Sequence, residues 1–121
     1  MTLRPGPAVA GAAVVAAACA LLVAVAVARQ PDGRAIFTGK GNCWTCHGRD
    51  GRGTAMAPNL ADAEWLNGDG TAEFVAEIVR NGVPRPRRFP GMMPPGGGAR
   101  LADAEVRAVA AYVVSLSRGG D

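Results

Sequence analysis

The chain has 121 residues, 13 basic and 10 acidic side chains and a formal charge of +3; this is room for one small domain, and it excludes both an enzyme of two closing domains and the long basic runs of a nucleic-acid binder. Hydrophobic residues make up 49%, but the uncharged run 8–28 holds much of that share and leaves about 93 residues for a folded part. Outside that run there are only two cysteines, Cys43 and Cys46, and the chain's one histidine, His47, so a disulfide framework, a multi-histidine metal centre and Ser-His-Asp chemistry are hard to build.

Residues 8–28 carry no charge over 21 positions before Arg29 and Pro31. As a helix they would be roughly 32 Å long, about the thickness of a bilayer's hydrocarbon core, which predicts a membrane anchor. Ala26-Val27-Ala28 also has the small-x-small form of a cleavage site, so the alternative is a signal segment removed near Ala28. Cys19 lies inside the run as a small apolar filler. Either use exports the remainder, and the organisation expected is residues 1–28 as anchor or signal, 29–33 as a Gly/Pro/polar linker and 34–121 as the domain.

Within the domain, residues 34–38 suggest a short helix ending at Gly39. Residues 43–59 are punctuated by Gly48, Gly51, Gly53 and Pro58 and read as loop; residues 61–66 suggest one helical turn closed by Asn67-Gly68. Thr71 is placed to cap a helix with Phe74, Val75, Ile78 and Val79 on one face, and Asn81-Gly82 gives it a stop. Residues 83–98 contain Pro84, Pro86, Pro90, Pro94 and Pro95 and predict an irregular loop. Residues 103–117 place Val106, Val109, Ala110, Val113 and Leu116 on one stripe, the pattern of an amphipathic helix. With no strand pattern, the fold class is all-α with long loops. Its apolar faces are too few to close a core, so something else should fill the middle.

Cys43-Trp44-Thr45-Cys46-His47 is C-x-x-C-H, the attachment pattern of c-type haem. Two thiols at this spacing reach two vinyl groups of one porphyrin, and the following imidazole turns under the iron. A thioredoxin-like pair would need a βαβ setting and a zinc site a fourth ligand, and the sequence offers neither. No second histidine exists for the opposite face, which leaves Met56, Met92, Met93 and, remotely, Lys40. Met56 follows His47 by nine residues, whereas Met93 lies 46 residues on, before Pro94 and Pro95. A thioether there raises the potential and blocks the open position that oxygen chemistry needs.

Cys43 to His47, the run Gly48-Arg49-Asp50-Gly51-Arg52-Gly53, Ala57-Pro58-Asn59-Leu60, Trp65-Leu66, Arg80-Asn81-Gly82, Met93-Pro94-Pro95 and the stretch 101–117 together resemble a class I cytochrome c domain. The closest likeness is to the C-terminal haem domain of the dihaem subunit of cbb-type haem-copper oxidases, over residues 32–118; with one C-x-x-C-H this chain reads as a monohaem, stand-alone relative. The resemblance implies three to five short helices around one covalent haem c, thioethers at Cys43 and Cys46, axial His47, and an axial methionine at the Met-Pro step, Met93 before Met92. It implies further that the Pro58 carbonyl accepts the Nδ1 proton of His47, and that Arg52 and Trp65 hold a propionate. The chain departs from the pattern at Ala102, where a Thr or Ser cap is usual, at an expected cost of about 1 kcal/mol, and in the insertion 84–90.

These features point to a carrier of one electron between redox partners at the outer, periplasmic face of the bacterial cytoplasmic membrane, not an enzyme in itself. The alternatives are a permanent haem subunit of a respiratory or photosynthetic complex, and an open-site haem enzyme or sensor, which would need a distal acid/base group that no second histidine provides. Arg85, Arg87 and Arg88 precede the methionines and are candidates for docking an acidic partner.

Overall fold

The computed structural model describes residues 30–120. The anchor or signal segment and Cys19 lie outside them. Among the described residues no helix is long and apolar enough to cross a membrane. Four helices follow in order: α1 Gly33–Thr38, α2 Trp44–His47, α3 Ala72–Asn81 and α4 Asp103–Ser117, with a tight turn at Pro95–Gly98 between the last two.

α1 and α3 each start where a side chain takes up free backbone N–H groups. Asp32 accepts from the N–H of Arg34 at 2.9 Å and of Ala35 at 3.3 Å, opening α1. Thr71 accepts from the N–H of Phe74 at 3.2 Å, opening α3, and Asp69 fixes Thr71 in turn through its N–H and hydroxyl at 3.0 and 2.9 Å. At the far end of α3, Gly82 takes φ 70° and its N–H reaches the carbonyl of Ile78 at 2.7 Å. Ala102 has no side chain with which to cap α4, but Glu105 reaches back to the Ala102 N–H at 2.8 Å, and Lys40 holds Glu105 at 2.7 Å.

α4 packs against both α1 and α3. It contributes Val106, Val109, Ala110, Val113 and Val114 to a core completed by Ile36 and Phe37 of α1 and Val75, Ala76 and Val79 of α3. Phe37 meets Tyr112 edge-on at 5.5 Å, a favourable arrangement of aromatic quadrupoles. Arg80 at the end of α3 pairs with Asp103 at the start of α4, which ties the two helices at the surface.

The helices expected around 34–38, 71–81 and 103–117 are present, and the class is all-α. Two expectations are corrected. Residues 61–66 form bends, not a helical turn, because Asn59 and Asp62 accept from backbone N–H groups two residues on, at 2.7 and 3.0 Å, an alternative to the helical bond. Residues 44–47, expected as loop, form one helical turn, too short for any periodicity to show. The loop 83–98 is mostly irregular but is pinched by an antiparallel bridge, with N–H to carbonyl bonds of 2.8 and 3.1 Å between Val83 and Met93.

Candidate functional site

An open-sided cavity lies between α2, the loop 56–67, α3, α4 and the stretch 83–97. Cys43, Cys46 and His47 line it from α2 and its N-terminal flank, Met93 from the bridged stretch, and Phe37 and Val109 from the main core. The single helical turn is what brings the motif together: the N–H of His47 bonds to the carbonyl of Cys43 at 3.0 Å, so Cys43, Cys46 and His47 are all gathered on the cavity side.

His47 is buried, and its Nδ1 lies 2.9 Å from the carbonyl oxygen of Pro58. A carbonyl only accepts, so Nδ1 carries the proton and donates it, leaving the Nε2 lone pair unprotonated. Burial holds the imidazole below its ordinary pKa, against a smaller upward pull from the Pro58 carbonyl; the ring is therefore neutral, the form that binds a metal. The loop that delivers Pro58 turns back at Gly53, where φ is 82° and a Cβ would lie 2.7 Å from the backbone nitrogen of Asn59. Thr54 anchors the same loop by donating from its hydroxyl to the carbonyl of Cys46 at 2.7 Å. Burial also pushes the Cys43 thiol up, partly countered by a hydrogen bond to backbone.

The methionines differ in how they are held. Met93 is half-buried, packs on the core and is fixed through both its N–H and carbonyl to Val83. Met92 and Met56 also line the cavity but are 62% and 49% exposed. Lys40 lies outside the lining and is engaged by Glu105. Trp65 lines the cavity, with its indole against Gly70, where any Cβ would overlap Nε1. Arg52, expected beside a propionate, is exposed and stands outside the lining. Three charged residues that the sequence does not place there are on it, Glu64, Arg87 and Arg88; the only sequence signal for the arginines is the basic insertion, a candidate for docking.

The lining suits a large flat apolar group held by two thiols and one neutral imidazole. The family model described as cytochrome c matches residues 31–117. The chain belongs to the cytochrome c family. Its domain therefore carries haem c, covalently attached, and the fold is the small all-α cytochrome c fold. Among curated proteins the chain is similar to the cbb3-type cytochrome c oxidase subunit CcoP of Rubrivivax gelatinosus, 40% identical over 96 residues. It is similar also to CcoP of Cereibacter sphaeroides, 44% over 94 residues, and to the FixP subunit of Rhizobium meliloti, 38% over 90 residues. The matches cover 78%, 76% and 73% of this chain but 29%, 29% and 28% of those relatives, so the chain spans less than a third of the proteins it matches. No solved structure matches. The likeness to the cytochrome subunits of cbb-type oxidases drawn from the motifs thus holds across the domain.

Proposed function

We propose that the chain is a single-haem electron carrier with His47 and Met93 as the axial pair. The observation that carries this reading is the arrangement of one cavity. A neutral buried imidazole, with Nδ1 committed to Pro58, lines it together with a thioether whose backbone is fastened on both sides. When bound, haem c supplies a one-electron couple. The residues supply the rest: Cys43 and Cys46 would hold the ring edge, Pro58 fixes the imidazole, and Met93 would be the second protein ligand of the iron, so that a change of charge would require no ligand to move. Residues 1–28 serve as anchor or signal, 29–33 as linker and 34–121 as the redox domain, on the periplasmic side of the cytoplasmic membrane.

A second reading, a permanent haem subunit of a respiratory complex, draws on the relatives, which are subunits of cbb3-type oxidases. It differs in assembly, not in the chemistry of the domain. The test of the ligand pair is optical. The oxidised protein should show the far-red sulfur-to-iron charge-transfer band; Met93→Ala should abolish it and Met92→Ala should keep it. A band that survives in Met93→Ala and disappears in Met92→Ala rejects Met93. Co-purification of an oxidase with the native protein in mild detergent would favour the subunit reading over the free carrier.

A further inference from the structure

Haem c brings two propionate carboxylates, on the two pyrrole rings that the thioethers leave free. An ionised carboxylate at the edge of an apolar cavity is costly without a charged or hydrogen-bonding partner. Among the described residues the cavity is lined by two cations, Arg87 and Arg88, and one further charged side chain, Glu64; the remaining titratable groups on it, Cys43, Cys46 and His47, belong to the attachment motif. Of the two expected partners, Trp65 is on the lining and carries no charge, and Arg52 is not on it.

Both arginines come from the insertion 84–90, and its conformation is constrained. Pro84, Pro86 and Pro90 fix φ along it. One end is rooted in the Val83–Met93 bridge, and beyond the other the N–H of Gly91 bonds to the carbonyl of Met56 at 3.1 Å, both residues of the cavity lining. Arg88 forms an ion pair with Glu64, Nη1 to Oε1 at 2.7 Å. A guanidinium has five N–H donors in a planar fork, so that pairing leaves donors for a second carboxylate. Arg87 makes no ion pair among the described residues.

We propose that Arg87 and Arg88 are the carboxylate-binding residues of the haem site, one propionate to each guanidinium, with Glu64 keeping Arg88 at the rim. The insertion is then part of the cofactor site and not a free docking patch. The inference rests on the haem cavity and is independent of which methionine binds the iron. Two consequences follow from charge. A cation at the rim favours the form with one more electron, so it holds the potential up; and it keeps the carboxylates ionised through neutral pH.

The experiment is a spectroelectrochemical titration of the intact haem-loaded chain in detergent, without partner, from pH 5 to 9. Arg87→Gln and Arg88→Gln should each lower the midpoint, by up to about a tenfold change in the reduction equilibrium, 59 mV for a one-electron couple. They should also introduce a pH-dependent slope as the carboxylate pKa rises into range. Arg85→Gln, a change at an exposed position off the lining, should do neither. If the Gln variants match the wild type and Arg85→Gln in both midpoint and slope, the proposal is overturned and the arginines serve the surface. Should the Gln variants fail to keep haem, Arg87→Lys and Arg88→Lys retain the charge and change the fork. A shifted propionate bending band in their resonance Raman spectra supports the assignment, and an unchanged band in both rejects it. The sulfur-to-iron band read in the same samples separates a failure of the His/Met reading from a failure of this one.

Discussion

His47 is fit for coordination because its second nitrogen is committed elsewhere. The Pro58 carbonyl sits 2.9 Å from Nδ1, and it is there because the loop after the motif reverses at Gly53. That reversal is intolerant of a side chain. At φ 82° an L residue is strained, and its Cβ would meet backbone atoms of Pro58 and Asn59 at 2.9 and 2.7 Å, atoms that do not yield as a flexible side chain would. Gly53→Ala is expected to lower stability by about 1–3 kcal/mol and to broaden the histidine ring resonances of the reduced haem protein as the hydrogen bond loosens. Urea denaturation and proton NMR would check the two effects. An alanine variant with an unchanged midpoint and sharp ring signals would show that the loop is held by Thr54 alone. Met93 has a comparable backbone constraint: Gly82, with φ 70°, leaves room for the Met93 carbonyl, which a Cβ at that position would approach to 2.3 Å.

Among the elements, α4 carries most of the packing and begins at a residue with no capping side chain. Ala102 has the extended backbone of a cap residue, φ −66° and ψ 156°, yet no side-chain oxygen. Glu105 repairs half of the missing capping box by holding the Ala102 N–H, and Lys40 orients Glu105 from the loop ahead of the haem motif. Ala102→Thr should therefore raise stability by about 1 kcal/mol, or about 4–8 °C in melting temperature for a domain of this size; an unchanged melting curve would mean that the existing half box already satisfies the helix end. The Lys40 hydrogen bond, and after it the Ala102 N–H, hold the Glu105 carboxyl below its ordinary value of 4.5. A depressed pKa in the folded state contributes stability that is complete above the unfolded-state pKa and is lost as pH falls through the folded one. Acidification below about pH 4.5 should thus cost the wild type more stability than Glu105→Gln, measured as the change in urea midpoint between pH 7 and pH 3.5; equal losses would remove Glu105 from the acid response. How far these elements could be read from sequence follows from their length. α3 and α4 contain several turns of apolar spacing and a cap or stop signal, so they were legible. α2 is four residues long and has no period to read, and 61–66 has helical composition but its Asn59 and Asp62 side chains capture the backbone first.

At the scale of the whole domain, the cavity takes the place of a core centre. Among the described residues, only Phe37 and Val109 are large side chains with almost no exposure, while Phe74, Ile78, Leu60, Trp65 and Leu66 are half-buried and face the cavity. The cluster of Cys43, Cys46 and His47 on one side of the cavity was legible because these residues lie within one five-residue run, so no folding had to be inferred to place them together. The rim was not legible: the side on which Arg87 and Arg88 lie depends on the Val83–Met93 bridge, a pairing that proline-rich sequence hides. A small domain whose apolar walls face inward onto a cofactor has little surface buried without it, and the conformational entropy of ordering some 90 residues is then poorly offset. Filling the cavity removes those walls from water, and the thioethers make that burial permanent. The full chain carrying Cys43→Ala and Cys46→Ala, and so free of covalent haem, is therefore expected to lack a sharp cooperative transition. Its circular dichroism should show reduced helix at 25 °C, and its dependence on urea should be shallow, since little additional surface remains to be exposed. The haem-loaded wild type should unfold in one steep transition. If the double variant instead unfolds with the same steepness and within about 1 kcal/mol of the wild type, α1, α3 and α4 close a sufficient core by themselves and the cavity is an appendage to the fold, not its centre.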